Sequence, residues 1–146
     1  MTRVLLKFRA VAAFVVLGAG SGTGMATAEV VAVVSARGPA TVMTTNQVVD
    51  IFLGRTSRFP DGRPAVPVDQ AEGSAVRDEF YFAYAGKSQS QLNAHWAKIV
   101  FTGRGHPPIA LANDLEVRKY LADHPGAIGY IERNLVDASV RVVVPR

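Results

Sequence analysis

Residues 65–80 read AVPVDQAEGSAVRDEF, and three kinds of local chemistry follow one another within them. "AVPVDQ" (65–70) is a short run with the composition of a strand. Pro67 argues for the edge or the start of that strand, because proline brings no donor to a ladder. Gly73-Ser74 is a turn. Val76, Phe80, Ala83 and Tyr84 then recur at helical spacing as far as Gly86. A strand that passes through a tight turn into a helix is the unit of an α/β layer.

The same alternation continues on both sides. "EVVAVVS" (29–35) is β-branched and apolar, a buried strand. In "TTNQVVDIFLG" (44–54), Thr44 and Gln47 have the spacing of a capping box. Val48, Ile51 and Phe52 share a face there, and Gly54 is a stop. "RTSRFPDGRPA" (55–65) is a loop with an Asp61-Gly62 turn. Downstream, Ser88 and Gln91 form a second capping-box pair, ahead of a helix whose apolar side is Leu92, Trp96 and Ile99. "FTGRGHPP" (101–108) is too rich in Gly and Pro for regular structure. "NDLEVRKYLADHPG" (113–126) predicts a helix capped by Asn113 or Asp114, with Leu115, Tyr120 and Leu121 on its apolar side. "AIGYIE" (127–132) and "VRVVVP" (140–145) read as strands. The expected order is β, α, β, α, α, α, β, β.

The first 28 residues belong to a different problem. Arg3, Lys7 and Arg9 precede the apolar core "AVAAFVVLGAG" (10–20), and "ATA" (26–28) is an A-x-A cleavage signal. These are the three parts of a secretory signal peptide, with cleavage expected after Ala28 and a periplasmic, soluble product. The expected organisation is therefore a leader over 1–28 and one domain over 29–146, enough chain for its own core. Sixteen basic residues less the three of the leader leave thirteen against twelve acidic, so the exported chain carries a net charge of +1. No basic stripe announces nucleic-acid binding. There is no cysteine, hence no disulfide and no site for a lipid anchor.

Few residues suggest catalysis. His95, His106 and His124 stand 11 and 18 residues apart and match no metal-ligand spacing. "AEGSAV" (71–76) lacks the second glycine of a nucleophile elbow. The carboxylates Asp69, Glu72, Asp78 and Glu79 read as a solvated surface cluster. We expect no enzyme, no metal and no cofactor. Gly73-Ser74 is the exception of interest. A helix beginning there offers free backbone N–H groups and a positive dipole end to an anion. Gly73 would let a ligand approach closely, and the Ser74 hydroxyl would either donate to an oxyanion or cap the helix. An ordinary cap is the simpler reading.

"QVVDIFLGRTSRFPDG" (47–62), "PVDQAEGSAVRDEFY" (67–81) and "HPGAIGYIE" (124–132) resemble, in the same order, segments of the phosphate-binding proteins of bacterial ABC transporters. Those belong to the type 2 periplasmic binding protein superfamily. The resemblance runs over about Val31 to Val144, is most specific at "DIFLG" and "PGAIGY", and is closer still to short exported one-lobe relatives. It implies an α/β fold with a small mixed sheet flanked by helices, the second lobe of a two-lobed clamshell. The lobe would be entered near Val30–Ser35 and left near Val140–Val144. In the family an arginine precedes a Gly-Ser-Gly-Thr turn, and both bind the oxyanion. Gly73 and Ser74 match that turn, Ala75 replaces its second glycine and Val76 its threonine. Gln70 stands where the arginine would be, so the strongest charge-assisted contact is lost. Arg77, or Arg55 and Arg58, are the candidates to replace it.

The ligand-binding residues implied by the resemblance are Gln70, Gly73, Ser74, Ala75 and Arg77, with phosphate or a similar oxyanion as solute. The alternative is a periplasmic adaptor or sensor-associated protein that has lost solute binding. It would contact a membrane transporter or sensor through the surface around "FTGRGHPP". Pairing of two half-clefts in a dimer is a further expectation.

Overall fold

A computed structural model describes residues 29–38 and 42–144; the expected leader and its cleavage site lie outside them. Five strands form one mixed sheet: β1 (Val30–Ser35), β2 (Val66–Gln70), β3 (Ile109–Leu111), β4 (Ala127–Glu132) and β5 (Val140–Val142). Their order is β3-β2-β4-β1-β5. β2 runs parallel to both β3 and β4, whereas β1 runs antiparallel to β4 and β5. The helices are α1 (Thr45–Phe52), α2 (Ala75–Ala85), α3 (Gln89–Phe101) and α4 (Asp114–Asp123), and a 3-10 turn spans Arg133–Leu135. None of the helices among the described residues is long and apolar enough to cross a membrane.

Strand periodicity sorts the core into two layers. Val30, Ala32 and Val34 of β1, with Ile128 and Tyr130 of β4, pack against Val48 and Phe52 of α1, Phe80 of α2 and Trp96 of α3. Val31, Val33 and Ile131 point the other way, onto Val117 and Leu121 of α4. Both faces are covered, which is why β1 and β4 read as apolar runs rather than as alternating strands. Gly129 marks the closest approach: a Cβ there would meet Val117 Cγ1 at 2.7 Å, so β4 needs a glycine beneath α4.

Both expected capping boxes form. Thr44 Oγ1 accepts from Gln47 N at 3.2 Å while Gln47 Oε1 accepts from Thr44 N at 2.9 Å. Ser88 and Gln91 repeat the arrangement at 3.2 and 2.9 Å. Asn113 caps α4, accepting from Glu116 N at 3.0 Å.

The structure corrects several expectations. β3 is an additional strand, so the order is β, α, β, α, α, β, α, β, β. At three residues it is too short to show a period, and only its pairing with β2 defines it. β2 is interior, so of the two places expected for Pro67 it is the start of the strand, not the edge, that holds. Pro67 is tolerated because Val66 donates to Gly126 O, which turns the proline nitrogen to the other side, where pairing with β3 begins only at Val68. Leu115 is 54% exposed, and Asp114 occupies the buried face of α4 with Val117 and Leu121. Ala83 is exposed, and Tyr81 joins Phe80 inside instead. β5 ends at Val142, short of the expected Pro145, which lies outside the described residues.

Candidate functional site

The chain leaves β2 toward the face that carries α1 and α2, and leaves β3 toward the face that carries α4. Adjacent parallel strands whose following segments diverge in this way open a crevice at their carboxyl ends, the usual ligand position in open α/β sheets. Here a shallow crevice of about 380 Å3 lies between the starts of α2 and α4. Gln70, Ser74, Val76, Asn113, Asp114 and Glu132 line it.

Under the crevice is a buried polar network built on Asp69. Its Oδ2 accepts from the Tyr81 hydroxyl at 2.9 Å, and its Oδ1 accepts from Gln70 N at 2.8 Å and from the Tyr130 hydroxyl. Arg77 Nε lies 3.4 Å from the same Oδ1, with both side chains buried. The Arg77 guanidinium also sits 5.4 Å from the Tyr81 ring centre, a cation–π contact, and its Nη1 is buried without a hydrogen-bond partner. Asp69 therefore does not belong to the surface cluster read from the sequence; Glu72, Asp78 and Glu79 do lie at the surface. Nothing local distinguishes Asp69. Its partners come from α2 and β4, so only the fold brings them together.

Burial pushes the Tyr81 and Tyr130 phenols well above their ordinary range, and the adjacent Asp69 carboxylate pushes both further. A raised folded-state value keeps the proton on the folded protein at a pH where the unfolded chain releases it. This contribution to stability is intact below about pH 10 and is lost as the pH climbs toward the folded values. Unfolding stability should fall by about 1.4 kcal/mol per pH unit per phenol above that point. Urea midpoints between about pH 9 and 11 check it. Tyr130→Phe should make the alkaline slope shallower; an unchanged slope would mean other groups carry it.

The second layer of the site joins Gln70 to both helix starts. Ser74 Oγ accepts from Arg77 N at 3.2 Å, as an N-cap, and donates to Gln70 Oε1 at 2.9 Å. Gln70 Nε2 donates to Asp114 Oδ1 and, at 3.3 Å, to Tyr130 O. Asp114 Oδ2 accepts from Glu132 N at 3.2 Å. Gln70 thus ties α2, α4 and β4 together from beneath the crevice.

The structure brings Gln70, Gly73, Ser74, Ala75 and Arg77 to the end of β2 and the start of α2. The Gln70 side chain and the Ser74 hydroxyl are engaged within the protein, and Arg77 is turned to Asp69. Gly73 has φ +90, and the space beside its Cα is open. Ala75 and Val76 begin the helix, where backbone N–H groups have no intrahelical acceptor. Arg55 pairs with Asp50 at 3.1 Å and Arg58 donates to Gly62 O at 2.8 Å, so neither serves the crevice. Asp114 and Glu132 are in the crevice lining, which holds no Lys or Arg; both Asp114 oxygens are engaged from within, by Gln70 and by the Glu132 amide. Among the described residues no group of three His, Asp or Glu is placed to hold a metal ion.

Solved structures share this architecture. A protein of Clostridium perfringens assigned as a phosphate ABC transporter substrate-binding protein, solved with phosphate bound, superposes with a TM-score of 0.59 and 22% identity. An ABC-type phosphate transport receptor of Vibrio cholerae gives 0.61 and 16%. A protein of Planctomyces limnophilus assigned to phosphate binding gives 0.54 and 16%. Each alignment covers 78% of this chain and only 40–44% of the other. The fold is that of one lobe of a phosphate-binding protein. No family profile and no curated protein matches the sequence. In this lobe β1 and β5 are neighbours, pairing Val33 with Val142, so the strands expected to lead in and out lie side by side.

Proposed function

We propose that this solute-binding-like lobe acts as an exported interaction module that has given up oxyanion capture, with no catalytic step of its own. One observation carries the reading: the lining of the crevice at the two helix starts includes two acidic residues and no basic one. An oxyanion placed there would face Asp114 and Glu132 without a guanidinium or ammonium to offset them. Like charges at short range repel, and nothing in the lining offsets them. The arginine that could help, Arg77, is held by Asp69.

A second reading is oxyanion binding by backbone alone. The open space beside Gly73 and the free amides at the start of α2 favour it, as does the phosphate bound in the C. perfringens protein. Thermal unfolding with phosphate, sulfate and molybdate separates the two. A binder gains about 2.7 kcal/mol at a hundredfold excess of ligand over its dissociation constant. We expect no shift at millimolar concentrations of any of the three. A shift that Ala75→Pro abolishes, by removing one of those amides at the first helical position where proline is tolerated, would overturn the first reading and establish the second.

A further inference from the structure

We infer that the C-terminal turn of α3 docks the protein on an anionic lipid surface, with Val100 and Phe101 entering the headgroup boundary and Lys98 and Arg104 meeting lipid phosphates. Phe101 is 91% exposed and Val100 52% exposed. Every residue from Val100 to Pro107 is exposed. The phenyl ring lies opposite the buried Leu92–Trp96 side of the helix and stands clear of the chain, a convex tip rather than a groove. A protein partner would have to supply a matching pocket, whereas a lipid surface deforms around such a tip.

Charge points the same way. From Phe80 to Asn113 the chain holds no acidic residue, while Lys87, Lys98 and Arg104 lie within that stretch. A near-neutral total conceals this excess along the chain; Glu72, which accepts from Gln89 and Asn93, lies against the N-terminal half of α3. Arg37, Arg55, Arg63, Arg118 and Arg133 each have a carboxylate within 4.0 Å. Lys98 and Arg104 have no such ion-pair partner among the described residues. Two copies meeting through this tip would bring cation against cation, which disfavours self-association here. An exposed aromatic residue beside unpaired cations has the composition of an interfacial anchor.

The end of α3 is closed by its own hydrogen bonds. Thr102 N and Thr102 Oγ1 donate to Lys98 O at 3.1 and 2.9 Å. Arg104 N donates to Ile99 O and Gly103 N to Val100 O, each at 3.1 Å. Three of the last four carbonyls of α3, those of Lys98, Ile99 and Val100, are thus bonded within the turn. Entry into the headgroup region strands none of these three, and the turn is already ordered before it binds.

This docking is independent of whether the crevice binds an oxyanion, because it lies on a different part of the lobe. Cosedimentation of the purified protein with vesicles tests it. One set is phosphatidylcholine and phosphatidylglycerol in equal parts, the other phosphatidylcholine alone. Binding is expected to the anionic vesicles and to weaken with salt. Phe101→Ser should lower the partition coefficient by roughly tenfold or more. Lys98→Glu combined with Arg104→Glu should abolish the preference for phosphatidylglycerol. All three positions are exposed, and unchanged melting curves would confirm that the variants fold. Failure to sediment with anionic vesicles, or binding that both variants leave intact, overturns the proposal. Retention on immobilised polyglutamate without vesicle binding would also overturn it, in favour of an acidic protein partner.

Discussion

Asp69→Ala is expected to destabilise the protein by about 3–5 kcal/mol. The substitution removes the carboxylate that receives both the Tyr81 and Tyr130 hydroxyls and the Gln70 amide. It also leaves the Arg77 guanidinium buried with no counter-charge, and that accounts for most of the cost. Urea unfolding measures the loss, and a double-mutant cycle assigns its cause. Arg77→Met in the Asp69→Ala background should recover a large part of it, because an apolar side chain of similar length needs no partner. A single-variant cost below about 1 kcal/mol would show that water replaces the carboxylate, as at an exposed pair, and that the network does not hold the end of β2 in place.

Phe80→Ala should cost a comparable amount, about 3–5 kcal/mol, for a different reason. Phe80 is fully buried and lies at the centre of the aromatic cluster. Its ring stacks on Tyr130 at 4.0 Å with an interplanar angle of 5°, and meets the edge of Phe52 at 4.9 Å. Truncation leaves a cavity that α1, α2 and β4 together line. These elements are pinned by caps and by the sheet, so the gap closes only in part. Phe80→Leu, which keeps most of the volume, should cost distinctly less. Because Tyr130 is shared with Asp69, the two alanine variants should not add; a strictly additive double variant would mean that the cluster does not position the Tyr130 hydroxyl.

Local chemistry made much of the fold legible. The two capping boxes formed as written, because each needs only residues three apart and a backbone that turns. α2 and its serine cap, and the buried strands β1 and β4, follow from short-range pattern as well. β3 was not legible, since three residues directly after a proline carry no period. The interior position of β2 was not legible either: proline leaves an edge and a strand start both open until one knows which side its nitrogen faces. Leu115 on the outside and Asp114 on the inside of α4 reverse the simple expectation. Asp114 is held there by Gln70 and by the Glu132 amide, partners 44 and 18 residues away.

The sequence by itself determined the helix starts, the alternation of strands and helices apart from β3, and the likeness to one lobe of a phosphate-binding protein, all of which rest on neighbours along the chain. Only the tertiary structure decided how the polar residues near the Gly73-Ser74 turn are used. Whether Gln70, Ser74 and Arg77 face a ligand or one another depends on groups brought in by β4 and α4. Buried donors and acceptors must find partners, and here they find Asp69, Asp114 and Tyr130.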